Sequence, residues 1–419
     1  MSVTRTFLSG ADVVLPDRVA SGLTVVMEGD RIVDLTSGPR ELSHSERRVD
    51  ATGQLVVPGF VDVHVHGVMG IDVLDGATAV ASVARELSRF GVTAFCPTSV
   101  ACSPDTLSAF LDSVAAARSA PEPGAARVLR AHLESNFINP AYCGAQPTEW
   151  LWTYEQKNDL RGQENDLRGR FAGDDKIDLR GRFADDATKR PLRSFLSPDV
   201  GILTMAPEMP GGMDLLRAAV KAGIRVSLGH SGATFDQARE AIDAGARHAT
   251  HLFNRMSPMG HRDPGLVGAV LSSDEVAAEL ICDGHHVHPA VMRVAIAAKG
   301  HSRMMAITDG TAGAGLPRGS CARLGGRNIT VGDVARLDDG TLAGSVATMD
   351  RVFATLVTQA GQSLVEAALL CSTTPARELG LIGQGVIAPG SLADLAILTP
   401  GLRVVQTWVG GRTSHPVRP

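Results

Sequence analysis

Lysine is nearly missing from this chain: of 40 basic residues only five are lysines, at 157, 176, 189, 221 and 299. Three of them fall in one charged stretch and two in helix-like stretches, which leaves no lysine for a buried strand. Paired cysteines are missing too. Cys96, Cys102, Cys143, Cys282, Cys321 and Cys371 show neither a C-x-x-C motif nor a disulfide framework. They read as reduced thiols, several of them small core residues, as expected of a cytoplasmic protein. The opening "MSVTRTFLSGADVVLPDRV" has no basic stretch followed by an apolar one, so no signal peptide is expected. No uncharged apolar run reaches the length that spans a bilayer. A net charge of -5 offers no basic surface, so neither nucleic acid nor an anionic membrane is expected as a partner.

What is present is the composition of a globular enzyme, 44% hydrophobic and 20% charged. At 419 residues the chain is long enough for one large unit and a smaller one. Residues 1–56 and 381–419 read as short strands and turns, with a hairpin signal at Glu28-Gly29-Asp30. A small β-sandwich domain built from both termini would explain this. Between 57 and 380 strands alternate with helices. The candidate strands are 60–66, 92–98, 128–134, 202–206, 225–230, 247–251, 279–283 and 304–309. Helical patterns include "ATAVASVARELSRF", "SPDTLSAFLDSVAAAR", "GGMDLLRAAVKAG" and "TFDQAREAIDAG". Eight such repeats predict an α/β fold of the (β/α)8 TIM-barrel type. A doubly wound open sheet is the alternative, but no G-x-G-x-x-G follows the first strand. A charged, Gly-punctuated segment at about 155–192 repeats "NDLRG" and "IDLRG" and reads as a solvated insertion.

The stretch "PGFVDVHVHG", Pro58–Gly67, carries His64 and His66 two residues apart, on one face of a strand. Alone, H-x-H is a weak signal. Other ionisable residues also end predicted strands: Glu134 the third, His230 the fifth, His251 the sixth and Asp309 the eighth. The C-terminal strand ends of a barrel converge on one mouth, so these groups are expected to meet there. Imidazoles with carboxylates suit Zn²⁺ or Fe²⁺ better than Mg²⁺ or Ca²⁺. One or two such ions are expected, with a water whose pKa is lowered towards about 7. Asp309 is the candidate base, and hydrolysis of an amide or ester is the simplest chemistry. Many barrel hydrolases join two metals through a carbamylated lysine on the fourth strand. None of the five lysines can serve, so Glu134 must be the central carboxylate.

At these residues the chain resembles the amidohydrolase superfamily, and within it the N-acetylglucosamine-6-phosphate deacetylases. The stretches that carry the resemblance are "PGFVDVHVHG", "AHLESNFINPAYCGAQ", "MAPE", "SLGHSGAT", "THLFNRMSPMGHRDPGLVG", "DGHHVHP", "ITDGTAGAGLP" and "LDDGTLAGSVATMD". The resemblance implies that Glu134, His230 and His251 bind the main metal, and His64 and His66 a second. It implies Asp309 as catalytic acid/base and His286 as the group that polarises the acetyl carbonyl. Asn254 and the backbone after it would hold the sugar phosphate, with Arg262 reaching it from the neighbouring subunit of a homodimer. Gln146 would also face the substrate. The implied reaction releases acetate from N-acetylglucosamine-6-phosphate. The chain departs from the family's pattern at three places: Ser135-Asn136 replaces Gly-Pro, Arg255 replaces a small residue, and Gly310-Thr311 follows Asp309 in place of Ala-Met. These departures bear on substrate choice and make Arg255 a candidate phosphate contact. Other readings are an N-acyl amino sugar of another kind (N-acetylgalactosamine-6-phosphate or an unphosphorylated sugar), an N-acyl amino acid, or a barrel that has lost catalysis and serves as a scaffold.

Overall fold

The alternation of strand and helix closes on itself. The computed structural model describes residues 5–37, 46–134, 136–152 and 195–414. Ser135 and the expected insertion at 155–192 lie outside the described residues. Eight parallel strands follow in chain order: Phe60–Val65, Val92–Ser99, Ala131–Glu134, Val200–Met205, Arg225–Leu228, His248–Ala249, Ala277–Ile281 and Met304–Ile307. Each pairs in parallel with the next. The ring closes where Val65 bridges Gly310 in parallel and the Asp309 N–H donates to the His64 carbonyl at 3.1 Å. This is the expected TIM barrel.

The helices form where the apolar spacing requires them. Ala79–Leu87 buries Ala79, Val80, Val83, Ala84 and Leu87, which lie on one face at helical spacing. Pro104–Ser119 starts where Ser103 accepts from the Thr106 N–H and Pro104 fills the first turn. Phe235–Asp243 opens with a capping box of Thr234 and Gln237.

A second, eight-stranded sheet draws on both ends of the chain. Its strands include Arg5–Val14, Val19–Glu28, Arg31–Ser37 and Leu55–Pro58 from one end, and Leu395–Leu398 and Val404–Val409 from the other. The expected hairpin is there, turning at Gly29, whose φ of 63° suits glycine. This sheet packs on a core of its own around Leu8, Val25, Ile32, Val56, Ile397 and Trp408. Arg127 pairs with the buried Asp394, tying barrel to sheet. Three short strands, Cys321–Leu324, Arg327–Val331 and Ala335–Leu337, form a separate antiparallel sheet against Val100 and Ala145. No helix among the described residues is long and apolar enough to cross a membrane.

Candidate metal centre

The strand ends do converge. His64 lies near the end of the first strand and His66 just beyond it, and Glu134 is the last residue of the third. His230, His251 and Asp309 each stand two residues beyond the fifth, sixth and eighth strands. All six are buried. The last three share a backbone feature: φ is 48° at His230, 30° at His251 and 48° at Asp309. Left-handed backbone is uncommon for residues other than glycine and is a form of strain that gathers at functional sites. Here it turns the chain sharply off each strand so that the side chain faces the barrel mouth.

Glu134 sits at the centre. Its Oε1 lies 2.9 Å from His230 Nε2 and 2.8 Å from His251 Nε2, and these two nitrogens are 3.0 Å apart. Its Oε2 accepts from Gln146 and lies 3.5 Å from His66 Nε2. The Nε2 atoms of His64 and His66 are 3.2 Å apart, and Asp309 Oδ1 stands 3.4 and 3.2 Å from them.

The outer nitrogens say what the inner ones are for. His66 Nδ1 meets the Thr98 carbonyl at 3.0 Å and His230 Nδ1 the Tyr142 carbonyl at 2.8 Å. His64 Nδ1 meets Glu279 Oε2 at 2.9 Å. Carbonyls and carboxylates only accept, so the ring proton sits on Nδ1 in all three. That arrangement orients a metal-binding histidine and turns Nε2 inward as the atom that can bind an ion. His251 Nδ1 is buried without a hydrogen-bond partner among the described residues. Lone pairs 3 Å apart repel unless a cation draws them together. Ligands about 2.1 Å from a tetrahedral ion stand roughly 3.4 Å from one another. The donor set therefore fits a cation. Glu134, His230 and His251 form one candidate group, and His64, His66 and Glu134 another that shares the carboxylate.

The charges agree. Burial opposes ionisation of Glu134, but His230, His251 and His64 hold it well below the usual carboxylate range. Asp309 is likewise buried yet held down by His64 and His66. Burial depresses His64, but Glu279, Asp309 and Glu134 outweigh it and push the ring up to about 10. The cluster demands positive charge.

Around it lies a cavity of about 500 Å³, lined by His66, Glu134, Gln146, His230, His251, Asn254, Arg255, His286 and Asp309, among others. His286 Nδ1 bonds Asp283 Oδ2 at 2.7 Å. Burial lowers the His286 pKa, but the Asp283 carboxylate outweighs it and raises the ring above its ordinary value. Asn254 donates to the His251 carbonyl at 3.3 Å. Arg255 is exposed, has φ 53° and lies against Gly144, where a Cβ would fall 2.5 Å from its Nε. Arg262 is exposed and does not line this cavity. Of the three departures from the family's pattern, Arg255 reaches the cavity. Asn136 instead donates to the carbonyls of Cys102 and Trp150, at 2.9 and 2.5 Å. Thr311 is buried and donates to the Ser345 carbonyl at 3.2 Å. Both hydrogen-bond to loop backbone, and neither is among the residues lining this cavity.

Beneath the centre lies a group the sequence did not announce. Glu279, fully buried in the seventh strand, gathers His64, His132 and His248 around it. The one available signal was a glutamate inside the otherwise apolar "AAELIC".

A model of the Amidohydrolase family matches residues 55–414. The chain is 34% identical to the N-acetylgalactosamine-6-phosphate deacetylase of Escherichia coli O157:H7, across 94% of this chain and 93% of that one. It is 31% identical to the N-acetylglucosamine-6-phosphate deacetylase of Bacillus subtilis (strain 168), across 93% and 91%. The crystal structure of N-acetylglucosamine-6-phosphate deacetylase from Pasteurella multocida superposes with a TM-score of 0.82 at 25% identity, covering 98% and 99% of the two chains.

Proposed function

The chain belongs to the amidohydrolase family, and from that premise we propose that it hydrolyses the N-acetyl amide of N-acetylglucosamine-6-phosphate to acetate and glucosamine-6-phosphate. The observation that carries this reading is the meeting of Glu134, His230, His251, His64 and His66 beside Asp309, at the edge of a sugar-sized cavity.

Glu134, His230 and His251 would hold one divalent ion, and His64 and His66 a second that shares Glu134. Zn²⁺ or Fe²⁺ suits these donors. When bound, such an ion polarises the acetamide carbonyl and makes water acidic at neutral pH. The remaining steps belong to the protein. Asp309, kept ionised by its imidazole neighbours, takes the attacking water's proton and passes it to the sugar nitrogen as the C–N bond breaks. His286 gives its Nε2–H to the carbonyl oxygen as negative charge develops there. Gln146 steadies Glu134 by donating to it. Asn254 and Arg255 contact the phosphate, the guanidinium binding two oxygens at once. Arg262 reaches the neighbouring subunit's phosphate in a homodimer.

The test is acetate release from a panel: N-acetylglucosamine-6-phosphate, its galacto epimer, unphosphorylated N-acetylglucosamine and an N-acetyl amino acid, each with and without a chelator. Highest kcat/KM on the first compound, abolished by chelation, is the expected result. A second reading is the galacto epimer, because the Escherichia coli relative named for it is 34% identical, no less similar than the N-acetylglucosamine-6-phosphate deacetylase of Homo sapiens at 34%. Preference for an unphosphorylated compound would overturn both.

A further inference from the structure

Glu279 takes no part in the reaction just described, yet both its oxygens are engaged. Oε1 lies 2.8 Å from His248 Nε2. Oε2 lies 2.9 Å from His64 Nδ1 and accepts the His251 backbone N–H at 3.2 Å. Donor chemistry fixes the protons. Arg225 Nε, which can only donate, stands 2.9 Å from His248 Nδ1. That nitrogen therefore accepts, and the proton of His248 sits on Nε2, pointing at Glu279. A His64 proton must sit on Nδ1 by the same reasoning, which leaves Nε2, facing His66, Glu134 and Asp309, as the nitrogen an ion can take. Arg225 is itself held by the Glu378 carboxylate at 2.6 Å and the Arg247 carbonyl at 2.8 Å. One train of hydrogen bonds thus runs from Glu378 through Arg225, His248 and Glu279 to His64.

We infer that Glu279 is a positioning residue that locks His64 in its Nδ1–H form and so makes His64 Nε2 a ligand for the second ion, with Arg225 and His248 setting the direction of the train. The inference rests on the metal-dependent reading above. It has a sharp consequence. Both Glu279 oxygens face donors, so the isosteric amide cannot replace it. Glutamine would turn an N–H₂ towards either His248 Nε2–H or His64 Nδ1–H. Relief comes if His64 moves its proton to Nε2, where it blocks the ligand position.

Metal-stripped wild type, Glu279→Gln and Glu279→Asp are dialysed against graded zinc, and bound zinc is counted by mass spectrometry. Wild type is expected to take up two ions. Glu279→Gln is expected to keep one at Glu134, His230 and His251 and to bind the other about 10–100-fold more weakly, the range for losing such a partner. Glu279→Asp, which keeps two acceptors, is expected to recover part of the loss. Two ions at unchanged affinity in Glu279→Gln would overturn the inference, as would loss of both ions from a folded variant. A wild type that binds a single ion overturns it too while leaving the deacetylase reading intact; a wild type that binds none overturns that reading itself. If Glu279→Gln does not fold, zinc-loaded wild type labelled with ¹⁵N-histidine decides: a protonated Nδ1 on His64 supports the inference, and a bare one overturns it.

Discussion

His286 can donate to a carbonyl oxygen only as an imidazolium, because its Nδ1–H is already given to Asp283. Asp283 raises the ring's pKa above 6.5, and His286 in return holds Asp283 below 3.8. The stability from the raised histidine is full below pH 6.5 and fades as pH rises through its folded value. The stability from the aspartate is present above 3.8 and fades as pH falls through its own folded value. Activity should follow the imidazolium. Asp283→Asn is expected to move the alkaline limb of kcat/KM to lower pH, and an unmoved limb would remove His286 from its donor role. Asp309→Asn is expected to lower acetate release by about 10²–10⁴-fold, the usual worth of a general base, with zinc content retained. At this scale the sequence was informative wherever a titratable residue ended a strand, because the barrel sends those ends to one place. It was silent on Glu279, whose partners come from the first, third and sixth strands and meet below the mouth. The departures at Asn136 and Thr311 read as bearing on substrate choice; in the fold both side chains donate to loop carbonyls and neither lines the cavity.

Turns off the barrel strands carry the strain. Besides His230, His251 and Asp309, Phe253 and Arg255 have positive φ, at 77° and 53°. Arg255 separates the strain from the chemistry, because it is exposed and is not among the candidate metal ligands. Glycine there relieves a left-handed residue and removes the proposed phosphate contact. Arg255→Gly is therefore expected to stabilise the fold by about 1 kcal/mol in chemical denaturation. It is also expected to raise KM for the phosphorylated sugar at least several-fold, with little change for the unphosphorylated one. Arg255→Ala keeps the strain and should show the kinetic loss without the gain in stability. The eight strands and the helices between them were legible because apolar runs and amphipathic spacing are local signals. The strand at 247–251 shrank to His248–Ala249, since its end is spent on the left-handed turn that aims His251. The small sheet over 321–337 gave no comparable signal. Its strands are short and half exposed, and they depend on Val100 and Ala145 from elsewhere in the chain.

Across the whole molecule, ion binding, protonation and folding are linked. The candidate ligands come from four of the eight strands, so an ion held among them ties distant parts of the ring together. Anything that binds the folded state alone raises its stability. Stripping metal is therefore expected to lower the melting temperature, and restoring zinc to reverse the loss. Protonation sets the second half of the linkage. Without an ion, neighbouring carboxylates hold the His64 proton up to about 10, so at pH 8 this ring arrives charged. An ion can use Nε2 only after that proton leaves, because metal ligands must be deprotonated. Titrating metal-stripped protein with zinc at pH 8 should release protons. The apparent enthalpy should then differ between Tris and HEPES in proportion to the two buffers' ionisation heats. The sign is fixed: zinc affinity climbs as pH rises towards 10, and acid favours the ion-free, protonated centre. Identical enthalpies in the two buffers would mean that His64 is neutral before the ion arrives, and that the three carboxylates do not act on it as their distances require.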